Sequence, residues 1–278
     1  MSDGVWTALL LAGERPGENQ FASAHGVPAK ALIRVGGEPM LGRVTQVLLR
    51  APSVRRIVVL AQQPADLMSG SLGWMAADPR ISSIRSGEGI STSIGAVAGT
   101  TEAPYPVLVV TADHALLTVA MIEAFLAESE DCDIAAALVE RAVVESSYPE
   151  TKRTWLRFSD GDYSGANLFA LRTERAQRAL DIWAGVERDR KKALRLLLSF
   201  GAVLALRAIT RTITLDAALR SASRRVGVNV RAVRLPFAEA AIDVDKPSDL
   251  ALAERILAGR SLTSQHEQKE EQCASPTS

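Results

Sequence analysis

The sequence predicts an α/β fold in which a largely parallel sheet carries helices on both faces. Short apolar runs of strand length recur along the chain, and segments with apolar residues at helical spacing separate them. The 278 residues suit one large domain or two small ones. Because β-α-β order favours parallel strands, and ligands bind where such strands end, we expect the site directly after the apolar runs.

Five strands are predicted in the first half of the chain, with helices between them. The strands are Trp6–Ala12, Val54–Ala61, Ile81–Ser86, Pro106–Thr111 and Asp133–Val139. The helices are Met40–Arg50, Leu67–Ala77, Ile90–Gly99 and Val119–Ser129. The run from Pro106 is the most hydrophobic, so we expect it at the centre of the sheet, where both of its faces are buried.

The second half of the chain is less regular. Its predicted strands are Thr154–Phe158 and Asn167–Leu171, on either side of a turn at Ser159–Asp162, and Val230–Leu235. Its predicted helices are Glu174–Ala184, Arg188–Phe200, a stretch to about Arg225, and Pro247–Leu257 with Ser248 as its N-cap. We therefore expect one domain over residues 1–260, with a helical insertion at about 185–230, and a polar, disordered tail over 261–278.

Composition excludes several classes of protein. The net charge is zero, so the molecule as a whole has no electrostatic preference for nucleic acid. The two cysteines, Cys132 and Cys273, are too far apart for a disulfide framework or a zinc ribbon. The N-terminus lacks a signal-peptide pattern, and no run reaches the ~20 apolar residues of a membrane span. We expect a cytoplasmic protein that does not bind nucleic acid.

The loop after the first strand has features of a phosphate-binding loop. Gly13 ends the strand abruptly, Gly17 and Arg15 follow, and Lys30 comes next in the chain as a second cation. Loop N–H groups and basic side chains bind phosphate oxygens. The loop matches neither GxxxxGK[ST] nor GxGxxG, so an ordinary strand-to-helix connection is the alternative interpretation of this stretch alone.

Three carboxylates are placed for a hard cation. Asp113 directly follows the predicted central strand, and Asp243 and Asp245 precede the last predicted helix. Carboxylates from separate loops that meet near a triphosphate commonly hold Mg²⁺, which prefers oxygen ligands. The alternative is that all three are turn and cap residues.

Six segments, in this order, resemble the MobA-like NTP transferases. They are Leu11-Ala-Gly13, Lys30-Ala-Leu32, Gly37-Glu-Pro-Met-Leu41, Ser86-Gly-Glu-Gly-Ile-Ser-Thr-Ser93, Thr111-Ala-Asp113 and Ile242-Asp-Val-Asp-Lys-Pro-Ser-Asp-Leu250. The family includes molybdenum cofactor guanylyl- and cytidylyltransferases, and sugar-phosphate and polyol-phosphate nucleotidyltransferases. The resemblance covers roughly residues 5–257.

The resemblance implies a three-layer α/β/α fold with a mostly parallel mixed sheet, like that of GT-A and nucleotide-diphospho-sugar transferases. It also implies a reaction that depends on Mg²⁺, with Mn²⁺ as the alternative ion. An NMP would pass from an NTP, with CTP or GTP favoured, to a small phosphorylated acceptor, and pyrophosphate would be released. The acceptor would be a polyol- or sugar-phosphate, or alternatively the molybdenum cofactor precursor, and its own phosphate would be the nucleophile.

The resemblance also implies roles for individual residues. The residues assigned to catalysis are Arg15, Lys30 and Asp113. Those assigned to the nucleotide are Leu11, Ala12, Gly13, Ser86, Gly87, Ser91 and Ser93. Asp113 would hold the metal with Asp245 or Asp243, and the acceptor would lie against Gly165, Asn167, Lys152 and Arg153.

Two positions depart from the family pattern. Glu14 follows Gly13 where the family usually has a second glycine nearby, and a carboxylate beside a triphosphate is repulsive unless it points away or contacts metal. Asp113-His114-Ala115 replaces Asp-x-Pro, and His114 could contact substrate or only its own loop. A non-catalytic nucleotide-binding protein of the same fold is therefore an alternative. A GT-A glycosyltransferase is another, although it would normally carry Asp-x-Asp at Asp113.

The segment from Gly185 to Arg234 is strongly basic, with twelve Lys or Arg residues against Glu187, Asp189 and Asp216. Part of this charge is concentrated at 188–192 and 220–225. One interpretation is a helical insertion that packs its apolar face on the domain. The others are a lid that supplies charge to a phosphorylated acceptor, and an interfacial helix that contacts anionic lipid.

Overall fold

The structure is a computed structural model, and it describes residues 5–14, 17, 19–87, 89–188 and 210–274. The strands are β1 Trp6–Leu11, β2 Arg34–Val35, β3 Glu38–Pro39, β4 Val54–Ala61, β5 Ile81–Arg85, β6 Val107–Thr111, β7 Ile134–Glu140, β8 Leu156–Phe158, β9 Gly161–Leu171 and β10 Val230–Arg234. The helices are α1 Gln20–Ala24, α2 Met40–Arg50, α3 Pro64–Leu67, α4 Trp74–Ala77, α5 Ile90–Val97, α6 Val119–Glu128, α7 Arg141–Ser147, α8 Ala176–Arg188, α9 Leu215–Val226 and α10 Pro247–Ala274. Short 3₁₀ turns cover Lys30–Leu32, Gly70–Leu72 and Ala238–Ala241.

One mixed, mostly parallel sheet of eight strands organises the described part of the chain. Its order is β10-β7-β9-β6-β1-β4-β5, with β8 paired to β9. β9 runs antiparallel to β6 and β7, whereas β1 runs parallel to β4 and β6. The strand from Val107 lies in the middle of this order, which confirms the central position predicted from its hydrophobicity.

The register of the central strands determines where the site lies. Leu11 at the end of β1 is opposite Leu60 on one side and Thr111 on the other. The three strands therefore end at one edge of the sheet. The residues that follow them, Gly13, Gln62 and Asp113, emerge there together, as expected at the carboxyl edge of parallel strands.

Helices cover both faces of the sheet, which confirms the three-layer α/β/α prediction. Successive residues of a strand point to opposite faces. Leu10 accordingly packs in a core cluster with residues of α2 and α6, while Leu9 packs in a second cluster with residues of α5 and α8.

Two local predictions were wrong. The segment 67–77 is not one helix, because Gly70 adopts a φ of +56° and breaks it into α3, a 3₁₀ turn and α4. Ser248 is not an N-cap, because α10 already begins at Pro247, a position where proline is favoured. The N–H groups of Asp249 and Leu250 donate to the carbonyl oxygen of Lys246 instead.

The C-terminal segment differs from its predicted disorder. Residues 261–274 continue α10 as helix, and 275–278 lie outside the described residues. The segment is rich in Glu, Gln and Lys, which are good helix formers, so a helix already begun can extend through it. The predicted helix Arg188–Phe200 and the basic cluster at 190–192 also fall almost wholly outside the described residues, whereas the later part of the insertion forms α9.

In the part of the chain that the structure describes, no helix combines the length and the apolar character that crossing a bilayer requires.

Candidate active site

A cavity of about 890 Å³ opens at the carboxyl edge of β1, β4, β5 and β6. Its wall includes eleven of the residues predicted for the site. They are Leu11, Ala12, Gly13, Lys30, Ser86, Gly87, Ser93, Asp113, Asn167, Asp243 and Asp245. These residues come from six separate stretches of the chain, and the sheet brings them together.

The other predicted residues are not among those that line the described cavity. Arg15 lies outside the described residues, so its predicted role stays a prediction. Ser91, Gly165, Lys152 and Arg153 are not part of the described cavity wall. Lys152 and Gly165 are exposed to solvent, whereas Ser91 is buried.

Lys30 is the centre of the charged part of the site. Its ammonium nitrogen Nζ lies 2.6 Å from Oδ2 of Asp113 and also pairs with Oδ1 of Asp245. Burial alone would lower the pKa of Lys30, but the charges and hydrogen bonds of the two carboxylates raise that pKa above its ordinary value. Lys30 is therefore charged at neutral pH and bridges two loops of the chain.

Asp113, Asp243 and Asp245 form one acidic cluster. One side-chain oxygen of each lies within 4.8 Å of the others. The main chain supports the arrangement, since the N–H of Val244 donates to the carbonyl oxygen of Asp113 at 3.1 Å. Three converging oxygen donors suit Mg²⁺, and the Lys30 ammonium between two of them marks the position as one that accepts positive charge.

Asp243 and Asp245 have opposite electrostatic environments. Burial and the neighbouring negative charge of Asp245 raise the pKa of Asp243 to about 6. Burial acts in the same direction on Asp245, but its hydrogen bond to Lys30 and the charge of Lys30 outweigh it and lower the pKa of Asp245. The cluster thus holds more negative charge than its own cations neutralise.

Arg153 supports the acidic cluster from behind. Its guanidinium pairs with Oδ1 of Asp243 and, at 3.0 Å, with Oδ1 of Asp249. Asp249 in turn accepts the N–H of Asp245 at 3.3 Å. The Arg153 side chain is only 8% exposed and pairs with these two carboxylates, so the geometry favours a supporting role over the predicted contact with an acceptor.

Asn167 is directed into the cavity by an irregularity in β9. The register between β7 and β9 shifts between Ala136 and Leu138, and Asn167 adopts a left-handed φ of +51°. Such bulges redirect a side chain, and asparagine tolerates this backbone region better than most residues. The Asn167 amide reaches Oδ2 of Asp243 at 3.4 Å.

The opposite end of the cavity is built on the turn into α5. The hydroxyl of Ser93 accepts the N–H of Gly87 at 3.0 Å and donates to the carbonyl oxygen of Gly89 at 2.6 Å, which closes the turn. The first N–H groups of α5, at Ile90 and Ser91, donate to the carboxylate of Glu187 from α8. Ser91 therefore helps to hold the N-terminus of α5 against Glu187.

Glu14, the residue that departs from the family pattern, is held in place by hydrogen bonds. Its Oε1 accepts the N–H of Lys30 at 2.6 Å and the side-chain amide of Asn19 at 2.9 Å. The side-chain amide of Gln62 pairs with both the N–H and the carbonyl oxygen of Glu14, at 3.0 and 2.8 Å. Glu14 thus has hydrogen-bond partners in its own loop and directly after β4.

His114 does not contribute to the described cavity wall. It is buried, and neither ring nitrogen has a hydrogen-bond partner among the described residues. Burial lowers the pKa of His114 to about 4, although the charge of Asp113 acts in the opposite direction. The ring is therefore neutral at pH 7 and does not neutralise the acidic cluster.

Sequence reasoning missed Gln62, Glu187 and Asp249. Gln62 directly follows β4, so the rule that ligands bind at strand ends could have identified it. Asp249 lies within a quoted motif but received no role. Glu187 offered no local signal, because its contact with α5 joins residues 97 positions apart.

Solved structures with this arrangement of strands and helices include nucleotidyltransferases. The chain is similar to a hypothetical transferase from Thermus thermophilus, with 28% identity and a TM-score of 0.70 over 88% of this chain and 98% of that one. It shares the fold of 4-diphosphocytidyl-2C-methyl-D-erythritol synthase from Anaerococcus prevotii, with 10% identity and a TM-score of 0.54 over 92% and 97% of the two chains. It also shares the fold of CMP:2-keto-3-deoxy-manno-octonic acid synthetase complexed with CTP, with 14% identity and a TM-score of 0.53 over 93% and 100%.

The family described as the MobA-like NTP transferase domain matches residues 8–197, which is more than half of the chain. The protein therefore belongs to this family, as its motifs predicted, and it is an enzyme of the nucleotidyltransferase class. The family match favours nucleotidyl transfer over the glycosyltransferase alternative. No curated protein sequence matches the chain.

Proposed function

We propose that the protein transfers an NMP from an NTP to a small phosphorylated acceptor, such as a polyol- or sugar-phosphate, in a reaction that depends on Mg²⁺. The observation that carries this proposal is the cluster of Asp113, Asp243 and Asp245 around the Lys30 ammonium, at the strand ends where nucleotides bind in such sheets.

The charge of the cavity supports the need for a divalent ion. Of the described residues in its wall, Lys30 is the basic one, and the acidic ones are Glu14, Asp113, Glu187, Asp243 and Asp245. A triphosphate alone would be repelled by this excess of negative charge. A cation held by the three aspartates would reverse the local potential where the phosphates lie.

In the proposed reaction an oxygen of the acceptor phosphate attacks the α-phosphorus of the NTP. The new P–O bond forms as the bond between the α-phosphorus and the β-phosphate oxygen breaks, and pyrophosphate leaves. Mg²⁺ held by Asp113, Asp243 and Asp245 would supply positive charge that offsets the charge developing on the pyrophosphate. No nucleophile from the protein is required.

The residues of the chain bind and orient the two substrates. Gly13 leaves the strand end open for close approach of the phosphates, and Lys30 would donate hydrogen bonds to their oxygens once a cation takes its place between the aspartates. Asn167, on the other side of Asp243, would orient the acceptor phosphate for in-line attack. The positive charge that neutralises this phosphate is proposed to come from the basic insertion.

CTP and GTP are the nucleotides to test first. The motifs resemble those of cytidylyl- and guanylyltransferases, and the two fold relatives with known names carry CTP or a diphosphocytidyl group in those names. Around the cavity end formed by Gly87 and Ser93, the available groups are mostly main chain and small hydroxyls, which can accommodate either base.

The test is pyrophosphate release by the purified protein with each of the four NTPs over a panel of polyol phosphates, sugar phosphates and molybdopterin. We expect release with one nucleotide and one acceptor class, with Mg²⁺ or Mn²⁺ present, and its loss in EDTA. Release that is unchanged in EDTA would contradict the metal assignment. Transfer to an acceptor without phosphate would contradict the proposed acceptor class.

A further inference from the structure

Glu14 connects the two ends of the loop that runs from β1 to Lys30 through hydrogen bonds. Its Oε1 accepts two hydrogen bonds, from the main-chain N–H of Lys30 at 2.6 Å and from the side chain of Asn19 at 2.9 Å. Lys30 is the first residue of a 3₁₀ turn, where an N–H group has no partner within the turn itself. A carboxylate is the strongest acceptor that the chain can offer at such a position.

The main chain of Glu14 is held at the edge of the sheet by Gln62. The side-chain amide of Gln62, directly after β4, donates to the carbonyl oxygen of Glu14 and accepts its N–H. This pair extends the β1–β4 hydrogen bonding by one step beyond the strands. Gly13 makes the contact possible, because a Cβ at this position would lie 3.1 Å from the Gln62 amide and 3.3 Å from the hydroxyl of Ser86.

Asn19 connects the same carboxylate to α1. The Asn19 side chain accepts the N–H groups of Phe21 and Ala22 as the N-cap of that helix, and its amide group donates to Glu14. The two ends of the loop and its short helix therefore meet at one carboxylate oxygen.

We infer that Glu14 is a positioning residue for Lys30. By holding the main chain of Lys30 against the edge of the sheet, Glu14 directs the ammonium to the point between Asp113 and Asp245 where the phosphates and the cation would meet. The kinetic part of this inference rests on the proposed function, whereas the structural part does not.

The experiment compares Glu14→Ala and Glu14→Gln with the wild type and with Glu123→Ala. Glutamine keeps an acceptor oxygen for Lys30 and Asn19, so it should rescue what alanine loses. Glu123 is the matched control, because its carboxylate likewise accepts a main-chain N–H and a side-chain group, both from Ser53, but directly before β4 begins, at the opposite edge of the sheet.

Two measurements are made on each variant. Amide hydrogen exchange at Lys30, followed by NMR without substrates, should be at least about tenfold faster in Glu14→Ala and close to wild type in Glu14→Gln and Glu123→Ala. The value of kcat/KM for Mg²⁺-CTP or Mg²⁺-GTP should fall about tenfold to hundredfold in Glu14→Ala only, mainly through KM, since small misplacements of a binding group have effects of this size.

Unchanged exchange at Lys30 in Glu14→Ala would overturn the inference, whatever the enzyme does with nucleotides. Faster exchange with kinetics like those of Glu123→Ala would also overturn it, because Glu14 would then serve stability alone. Equal loss in Glu14→Gln and Glu14→Ala would assign the effect to the charge of Glu14 rather than to positioning. If the wild type transfers no nucleotide, the proposed function fails while the exchange result still decides the structural part.

Discussion

Aspartates lie at both edges of the sheet, and their environments differ in an informative way. At the amino end of β7, Asp133 accepts hydrogen bonds from the hydroxyl of Thr173 at 2.6 Å and the N–H of Asn229 at 2.8 Å. Burial would raise the pKa of Asp133, but these bonds outweigh it and lower the pKa. At the carboxyl edge, burial and the charge of Asp245 raise the pKa of Asp243 to about 6.

The difference separates a structural carboxylate from a binding one. At the amino edge the fold supplies all the partners that a charged aspartate needs. At the carboxyl edge three carboxylates converge on fewer cations than they need, and that deficit is the expected mark of a site for an added cation.

Arg153→Met should destabilise the protein most. The Arg153 and Asp249 side chains are only 8% and 7% exposed, so the substitution leaves the buried carboxylate of Asp249 without its cationic partner. We expect the free energy of unfolding to fall by about 3–5 kcal/mol in urea titrations. Arg255→Met, which removes an exposed pair with Glu150, should cost less than about 1 kcal/mol. Equal losses would mean that the site edge needs no internal support.

Asp113→Asn should reduce catalysis without a comparable loss of stability. The substitution removes one negative charge from the proposed cation site, and loss of one charge-stabilising group typically lowers kcat by about 10²–10³-fold. The same substitution at the other edge, Asp133→Asn, should leave steady-state rates within about twofold of wild type, since structural partners alone surround that residue. Similar rate losses in both variants would contradict the division between the edges.

Lys30→Met should change two affinities in opposite directions. Without the ammonium, Asp113 and Asp245 are available to a cation, so Mn²⁺ should bind the nucleotide-free protein about tenfold more tightly in an EPR titration. The affinity for Mg²⁺-NTP should fall about tenfold, since a phosphate partner is lost. Lys152→Met, at an exposed position outside the described cavity wall, should leave Mn²⁺ affinity unchanged. Weaker Mn²⁺ binding in Lys30→Met would show that the two cations do not compete.

Asp133→Asn should have the smallest effect, and it should depend on pH. Its native pKa is lowered from an ordinary value of 3.8, so its stabilisation is complete above that value and disappears as pH falls through the native pKa. We expect the free energy of unfolding near pH 7 to fall by about 1–2 kcal/mol. The asparagine side chain would present its NH₂ group, which cannot accept a hydrogen bond, to one of the two groups that donate to Asp133. The difference between variant and wild type should therefore shrink as the pH falls below 3.8. If the difference in unfolding free energy did not change with pH, it would come from packing and not from the charge of Asp133.

Predictions from sequence succeeded where local patterns decide the structure. Alternating and continuous apolar runs identified the strands, and the residues that follow them, such as Gly13, Ser86 and Asp113, line the cavity. The break at Gly70 was missed, because a helical pattern of apolar residues does not reveal which glycine will adopt a positive φ.

The roles of charged residues were harder to predict. Arg153 was expected at the acceptor, but the fold turns it towards Asp243 and Asp249, more than 85 positions away in sequence. Glu14 looked repulsive next to phosphates, yet its acceptor role depends on Lys30, 16 positions later. The partner of a charged side chain is chosen by geometry between distant segments, and composition or spacing carries no record of it.

Hydrophobic periodicity and ordered motifs are properties of the chain, so the sequence alone was enough to predict the α/β class, the strand ends and the family. Which charged side chains pair with one another depends instead on the folded arrangement. Lys30 joins Asp113 across 83 positions and Asp245 across 215, and the register of β1 with β4 and β6 is what makes both contacts possible. Electrostatic interactions depend on distance in space, and that distance exists only after the sheet has formed.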